Sequence, residues 1–370
     1  MNTQRWLVMA MIGMSVLIVR LSMGEGSKSA AEALQNGRTF LDHGHFDQAI
    51  ADCTEAIRLA PKLVKAYRYR AFAWRKKGDY AKSVTDYDEA IRLDPRDAEL
   101  LLRRADVRMD QRDFDKAIAD YTDAIRLDPK QYQAYGGRGF AYGFQGNFDK
   151  AIADFNEAIR LNPKSSSLYR GRGLAYQQKG DFEKSIKDYS ESIRRDPKSA
   201  QAYCDRGDAH KMNGEPNMAI ADYTEAIRLN PRHFQSYYRR GVAYKERCEM
   251  GKAIADYTEA IRLRPKYVDP YLERGIAYDE VGELEKEIDD YAEAIKLDPK
   301  NTNAYYDRGR AYVVKGNTQQ AVVDLTEAIK LNPKDAEAYQ CRGEAYKKMS
   351  ETAKAEEDFA KAKELGYKGK

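Results

Sequence analysis

The chain has 370 residues, 42% of them hydrophobic, and its net charge is only +4, with acidic and basic residues interspersed. This hydrophobic content and the 27 tyrosines argue against an intrinsically disordered chain, and a nucleic-acid binder would more often show a clustered basic face. The four cysteines and four histidines form no metal-binding or thioredoxin-like motif. We therefore expect neither a metal site nor a cofactor.

The first 29 residues differ from the rest of the chain. Arg5 precedes a nearly unbroken apolar run from Trp6 to Val19, which ends at Arg20. As a helix this run would span about 21 Å, less than the roughly 30 Å of a bilayer core. It fits the apolar region of a signal peptide that is cleaved near residue 24. It equally fits a retained short anchor that extends to Met23, with Arg20 snorkelling to the interface.

This segment predicts that the protein is exported or anchored in a membrane. Arg5 favours an N-terminus on the inner side, which would place the rest of the chain outside the cytoplasm. The alternative is a cytoplasmic protein whose first helix is apolar.

Residues 30–369 are organised by a proline at every thirty-fourth position. Nine of the eleven prolines have this spacing: Pro61, Pro95, Pro129, Pro163, Pro197, Pro231, Pro265, Pro299 and Pro333. A fixed period of this size is typical of stacked helix-turn-helix units. Counting back from each proline gives ten units, which start at residues 30, 64, 98, 132, 166, 200, 234, 268, 302 and 336.

Each unit predicts two helices. Positions 4, 8 and 11 form one stripe of a first helix, with a small residue in the middle that lets a second helix approach closely. The second helix has its own stripe at positions 20, 24 and 27, which in the sixth unit are Ala219, Tyr223 and Ala226. A polar turn such as Gly78-Asp79 separates the two helices, and its Asp or Asn is suited to cap the second helix. The proline then ends the unit, because it has no N–H to continue a helix.

The pattern aromatic-x-x-Arg-Gly-x-x-Tyr, then Ala-x-x-x-Tyr/Phe-x-x-Ala, then Pro, resembles the tetratricopeptide repeat family. The resemblance covers Ala30 to about Tyr367. It implies an all-α fold, a right-handed superhelical solenoid of helix pairs. In such a solenoid the first helices line a concave groove that binds peptides or partner proteins.

Features shared by every unit are interpreted as architecture, because a site present in all repeats confers no specificity. The tyrosines at positions 4, 11 and 24 are therefore packing residues. The Arg before each Gly at position 8 is expected to form a repeated ion pair, and the Asp of the Asp-Tyr step is a candidate partner, as in Arg206 and Asp222. Glu287 departs from the pattern, since it replaces the small residue at position 20 of the eighth unit.

Function is expected where the units diverge on the groove-facing stripe of the first helix. The second unit is basic and aromatic there, with Arg68, Tyr69, Phe72, Arg75 and Lys76. The fourth has Phe140 and Phe144 flanked by glycines, which predicts an exposed apolar hollow. The eighth is acidic with two aliphatic residues: Leu272, Glu273, Ile276, Asp279 and Glu280. We take these twelve residues as candidate partner-binding positions; the alternative is that they are ordinary solvated or packing residues.

The sequence thus predicts a non-catalytic scaffold that binds a protein or peptide partner in its groove, exported or tethered to a membrane. An enzyme is not expected, because no acid/base, nucleophile or phosphate-loop constellation stands apart from the repeats. Two alternatives remain: binding of a polyanion, either nucleic acid or glycan, along the groove, and a regulatory subunit of a separate enzyme. Nucleic acid is not the expected partner, because the eighth unit is acidic. The oligomeric state is left open.

Overall fold

The computed structural model describes residues 29–368. The apolar run from Trp6 to Val19, on which export or anchoring was predicted, lies outside this range. The described residues belong to two compact units, which divide between Pro163 and Lys164. All regular elements in the described range are α-helices.

The N-terminal unit holds four helix pairs. Their bounds are α1 Ala30–Asp42, α2 Phe46–Leu59, α3 Val64–Lys77, α4 Tyr80–Leu93, α5 Ala98–Asp110, α6 Phe114–Leu127, α7 Tyr132–Phe144 and α8 Phe148–Leu161. Consecutive helices pack on one another, and the first helices of neighbouring repeats also touch, as α1 touches α3 and α5 touches α7. An ion pair between Arg75 of α3 and Asp110 of α5, at 2.6 Å, joins these two contacts, so the first helices form a continuous row within this unit.

The C-terminal unit holds six helix pairs with the same packing between consecutive helices. Their bounds are α9 Ser166–Gln178, α10 Phe182–Arg195, α11 Ala200–Met212, α12 Pro216–Leu229, α13 Phe234–Glu246, α14 Met250–Leu263, α15 Asp269–Glu280, α16 Leu284–Leu297, α17 Thr302–Lys315, α18 Thr318–Leu331, α19 Ala336–Lys348 and α20 Thr352–Glu364. The predicted all-α fold of tandem helix pairs is confirmed.

The small residue at position 8 permits close contact between the two helices of a repeat. A Cβ atom added to Gly207 would lie 2.6 Å from Cε1 of Tyr223, whose ring is fully buried. The tyrosine at position 24 of the second helix thus packs directly on the backbone of the first helix. The glycine at position 8 and the large ring at position 24 depend on each other, because a side chain at position 8 would overlap the ring.

The turns between the two helices of a repeat contain the glycine and the helix-capping aspartate that the sequence predicts. Gly78 adopts φ +82°, a left-handed conformation that glycine reaches without steric cost. The Asp79 carboxylate then accepts a hydrogen bond from the backbone N–H of Lys82 and caps α4. Asp113 and Asp181 cap α6 and α10 in the same way.

None of the helices between residues 29 and 368 is both long enough and apolar enough to cross a membrane.

Candidate functional site

The recurrent Arg and Asp form the expected ion pair. Arg206 makes two parallel hydrogen bonds to Asp222, at 2.9 and 2.7 Å, and Asp222 is only 6% exposed. The same pair recurs as Arg70–Asp86, Arg104–Asp120, Arg138–Asp154, Arg172–Asp188, Arg240–Asp256, Arg274–Asp290, Arg308–Asp324 and Arg342–Asp358. The prediction of a repeated pair is confirmed, and these arginines belong to the scaffold.

A basic and aromatic recess lies on the first helices of the N-terminal unit. It has a volume of about 710 Å³, and α1, α3 and α5 contribute most of its lining. Three of the predicted residues, Arg68, Tyr69 and Phe72, line it, together with Arg38 and Lys65. The Arg68 guanidinium lies 5.4 Å from the centre of the Tyr69 ring, a cation–π contact that orients both side chains.

Three cations around this recess have no acidic partner. Arg103 is neutralised by Glu99 at 2.7 Å, whereas Arg38, Lys65 and Arg68 have no carboxylate within ion-pair distance among the described residues. The other two predicted cations lie apart from the recess lining. Arg75 is engaged by Asp110 at 2.6 Å and Asp106 at 3.6 Å, and Lys76 is exposed, with its ammonium 5.4 Å from the Phe72 ring centre.

The two phenylalanines of the fourth repeat have different environments. Phe140 is half-buried, and its ring meets the buried Phe155 edge-on at 4.9 Å. Phe144 is 65% exposed and stacks on Phe114 at 5.2 Å. The space left by Gly137 is filled, because a Cβ there would lie 2.4 Å from the Tyr121 ring. Of the two rings, Phe144 is therefore the one whose surface is available to a partner.

In the C-terminal unit, the predicted residues of the eighth repeat lie along α15. Leu272 and Ile276 are half-buried and Glu280 is exposed. Two of the three acids are paired across to neighbouring first helices: Glu273 accepts from Lys245 of α13, and Asp279 accepts from Arg310 of α17 at 2.6 Å. The charge of this face is thus determined by residues of three repeats.

Family profiles described as tetratricopeptide repeat match residues 34–98, 102–166, 139–200, 200–233, 234–267, 268–301 and 291–323, and a TPR repeat profile matches 309–350. These ranges agree with the tandem helix pairs described above. The chain belongs to the tetratricopeptide repeat family.

Solved structures resemble parts of the chain. The crystal structure of MamA is 31% identical, covering 44% of this chain and 96% of its own, with a TM-score of 0.42. A tetratricopeptide repeat protein from Parabacteroides merdae is 20% identical, covering 67% of this chain and 98% of its own, with a TM-score of 0.55. YrrB, described as a TPR protein with an unusual peptide-binding site, is 21% identical, covering 50% and 95%, with a TM-score of 0.44. No curated protein sequence matches the chain significantly.

Two contacts in these tetratricopeptide repeats were not predicted from the sequence. Arg38 belongs to the first repeat, yet it lines the recess of the second. Six of the scaffold arginines also donate to a hydroxyl one repeat earlier, as Arg240 does to Thr224 at 2.9 Å. The recurring Thr of the Asp-Tyr-Thr-Glu segment was a visible signal for this second contact. Arg38 occupies position 9 of the first repeat, as Phe72 does in the second, so the groove-facing stripe of the first helix was the signal that could have identified it.

Proposed function

We propose that the protein is a non-catalytic interaction scaffold whose N-terminal unit binds an acidic segment of a partner protein. The observation that carries this proposal is the recess on α1, α3 and α5, where three cations that have no ion-pair partner within residues 29–368 line the same surface as two aromatic rings, Tyr69 and Phe72. Family membership supports a binding role, because the repeated residues build a stack of helix pairs and leave the groove-facing stripe free to vary.

The recess has chemical features suited to an acidic peptide. Arg38 and Lys65 are exposed and Arg68 is half-buried, so carboxylates of a partner could reach all three while remaining partly hydrated. Tyr69 and Phe72 are half-buried and offer apolar surface against which the backbone or an aliphatic side chain of the partner can pack. The arginines add bidentate hydrogen bonds to carboxylates.

Fluorescence anisotropy with a labelled hexaglutamate peptide tests the proposal on the full chain. We expect Arg68→Ala to weaken binding by about tenfold, since it removes a partly buried cation from the recess. The matched control is Arg126→Ala. Arg126 is an exposed arginine of α6 that pairs with Asp123 outside the recess, and its removal should change affinity less than about twofold.

Equal affinity of the Arg68→Ala and Arg126→Ala variants would contradict the proposed recess. A labelled single-stranded RNA of the same length serves as the competing polyanion. If RNA binds more tightly than hexaglutamate with a steep salt dependence, the partner is a nucleic acid rather than an acidic protein segment.

Phe144 is proposed as an additional apolar contact of the same unit. Its exposed ring is held in place by stacking on Phe114, so it can be buried by a partner with little ordering cost. Phe144→Ala should weaken capture of a natural partner without loss of helical content. Phe140→Ala is the contrasting variant, because the packing of Phe140 on Phe155 predicts lowered stability instead.

We further propose that the N-terminal segment exports the repeats or tethers them to a membrane. The support is the apolar run from Trp6 to Val19 between Arg5 and Arg20. Fractionation of cells that express the full chain, followed by protease treatment of intact cells or spheroplasts, tests this. Repeats that remain in the soluble cytoplasmic fraction and are protected from protease would refute it, and a shortened N-terminus in mass spectrometry would identify cleavage.

A further inference from the structure

Three charged residues at position 6 of the first helices, in the sixth, seventh and eighth repeats, are paired with the preceding repeat. Each one contacts an opposite charge on the preceding first helix: Asp205 with Arg170 at 3.4 Å, Arg239 with Asp208, and Glu273 with Lys245. We call these three ion pairs the ladder; they leave the surface of the first helices α9 to α15 locally neutral.

The ladder is interrupted at Asp307. This residue occupies position 6 of α17, but the preceding helix α15 presents no cation to it. The nearby charge on α15 is Asp279, which is already paired with Arg310 of α17 at 2.6 Å. Within residues 29–368, the Asp307 carboxylate accepts no hydrogen bond and forms no ion pair. The charged groups that act on it are Arg310, Asp279 and Glu337.

A second carboxyl group without a partner among the described residues is that of Glu287, on which the charge of Asp307 acts. Glu287 of α16 stands at position 20, which is alanine or serine in the other nine repeats. The residue is only 1% exposed, and its buried Oε1 has no hydrogen-bond partner in the described structure. Burial raises the pKa of Glu287 to about 7, and the negative charge of Asp279 adds to this effect.

A buried polar group of α16 lies within electrostatic reach of the same residues, and it shares its lack of a partner in the described structure with the Tyr257 hydroxyl of the seventh repeat. The hydroxyl of Tyr291, a fully buried residue of α16, also has no partner among the described residues. In the third and sixth repeats the equivalent hydroxyl donates to an aspartate at position 9, as Tyr223 does to Asp208 at 2.8 Å. In the eighth repeat position 9 is Ile276. Asp307, Glu287, Asp279 and Arg310 are the charged groups that act electrostatically on the Tyr291 hydroxyl.

We propose that Glu287, Asp307 and Tyr291 form a binding site for the guanidinium or ammonium group of an Arg or Lys side chain of a partner protein. The charged groups facing Glu287 from the two helices packed on α16 are Asp279 of α15 and Asp307 and Arg310 of α17. Arg310 pairs with Asp279 and acts on the other two carboxyl groups only from beyond ion-pair distance, so among the described residues neither Glu287 nor Asp307 has a directly paired cation. A basic side chain supplies the missing charge and donates to the free oxygens.

The geometry favours an organic cation over a metal ion. The described residues contain no group of three or more His, Cys, Asp or Glu side chains placed to hold a metal. A guanidinium is larger, and its several N–H donors can bridge carboxylates that do not converge on a single point. Leu272 and Ile276 of α15 and Tyr306 of α17 are half-buried nearby on the groove-facing stripe, where the aliphatic part of the side chain can pack.

The test is isothermal titration of the full chain with a capped hexa-arginine peptide. We expect Glu287→Ala and Asp307→Asn each to reduce affinity by about tenfold, because each removes a desolvated partner of the cation. Asp289→Asn is the matched control. Asp289 is an exposed acid of the same helix, and its variant loses the same charge. Circular dichroism establishes that the variants are folded, and Glu287→Ala restores the residue type of the other repeats.

A second readout separates this site from general attraction of a polycation. A bound cation favours the ionised form of Glu287, so binding near pH 7 should release a proton from the wild type and less from Glu287→Ala. Titration in two buffers with different ionisation enthalpies measures this release. Equal affinity of the wild type and Glu287→Ala, or equal proton release by both, would overturn the proposal. Because this probe is cationic and that for the N-terminal recess is anionic, failure of one proposal is distinguishable from failure of the other.

Discussion

Replacing Glu287 by alanine removes a carboxyl group that is buried without a partner, and we expect the C-terminal unit to become more stable. Burial raises the pKa of Glu287 from its ordinary 4.5 to about 7 in the folded chain. The folded state therefore binds the proton more tightly than the unfolded state. The tighter binding of this proton stabilises the folded state fully below pH 4.5, and the stabilisation is lost as the pH rises through about 7.

The size of the effect follows from that pKa difference. Each pKa unit corresponds to about 1.4 kcal/mol, so ionised Glu287 costs the folded state about 3 kcal/mol at pH 8. At pH 5 the group is protonated when folded, and most of this cost is absent. Glu287→Ala should therefore stabilise the region around α15, α16 and α17 by up to about 3 kcal/mol more at pH 8 than at pH 5.

Native-state hydrogen exchange is the appropriate assay, because a stack of repeats opens locally and one global free energy does not describe it. Exchange rates of amides in Asp269–Lys315, corrected for intrinsic rates at pH 5 and pH 8, give the local opening free energy. The amides of α1 to α8 are the internal control and should not change. If the variant gains the same protection at both pH values, ionisation of Glu287 is not the cause of the stabilisation.

Two further predictions concern the scaffold. Gly207→Ala should destabilise the folded chain by about 1–3 kcal/mol, because its methyl group would overlap the Tyr223 ring. Gly143→Ala has nothing within 4 Å of the added methyl group and should stabilise the folded chain by about 0.5–1 kcal/mol. Equal urea midpoints for the two variants would contradict the packing argument. Arg206→Ala should cost about 2–3 kcal/mol, because it removes both hydrogen bonds of a buried aspartate and leaves that carboxylate only His210, at 3.8 Å. Arg228→Ala, which breaks an exposed pair, should cost under about 0.5 kcal/mol. Similar losses of thermal stability would show that burial does not distinguish the pairs.

The repeated contacts could be predicted from the sequence because ten copies constrain one geometry. Arg206 and Asp222 recur together at a constant separation, so a single arrangement must satisfy them in every repeat. The same reasoning identified the capping role of Asp79 and the need for a small residue at position 8. In each case the sequence signal is averaged over many units, and local packing differences do not obscure it.

Contacts that occur once could not be predicted in this way. Nothing in the sequence distinguishes Phe140 from Phe144, and only the structure shows that Phe155 receives the first ring. Glu287 was recognised as an exception to the repeat, but the absence of a partner for Asp307 depends on which residue of the preceding helix faces it. Such pairings are set by side-chain placement between adjacent repeats. An aliphatic residue in place of a cation on one first helix is enough to leave an acid on the next first helix unpaired.

The two proposed sites differ in the physical origin of their selectivity. Arg38 and Lys65 are exposed, so their attraction for an acidic segment acts over distance, speeds encounter and is weakened by salt. Glu287 is almost fully buried, so a cation that reaches it must lose its water and match the free oxygens closely. The first arrangement favours rapid association with many acidic sequences, whereas the second penalises a partner that lacks a basic side chain at the right place.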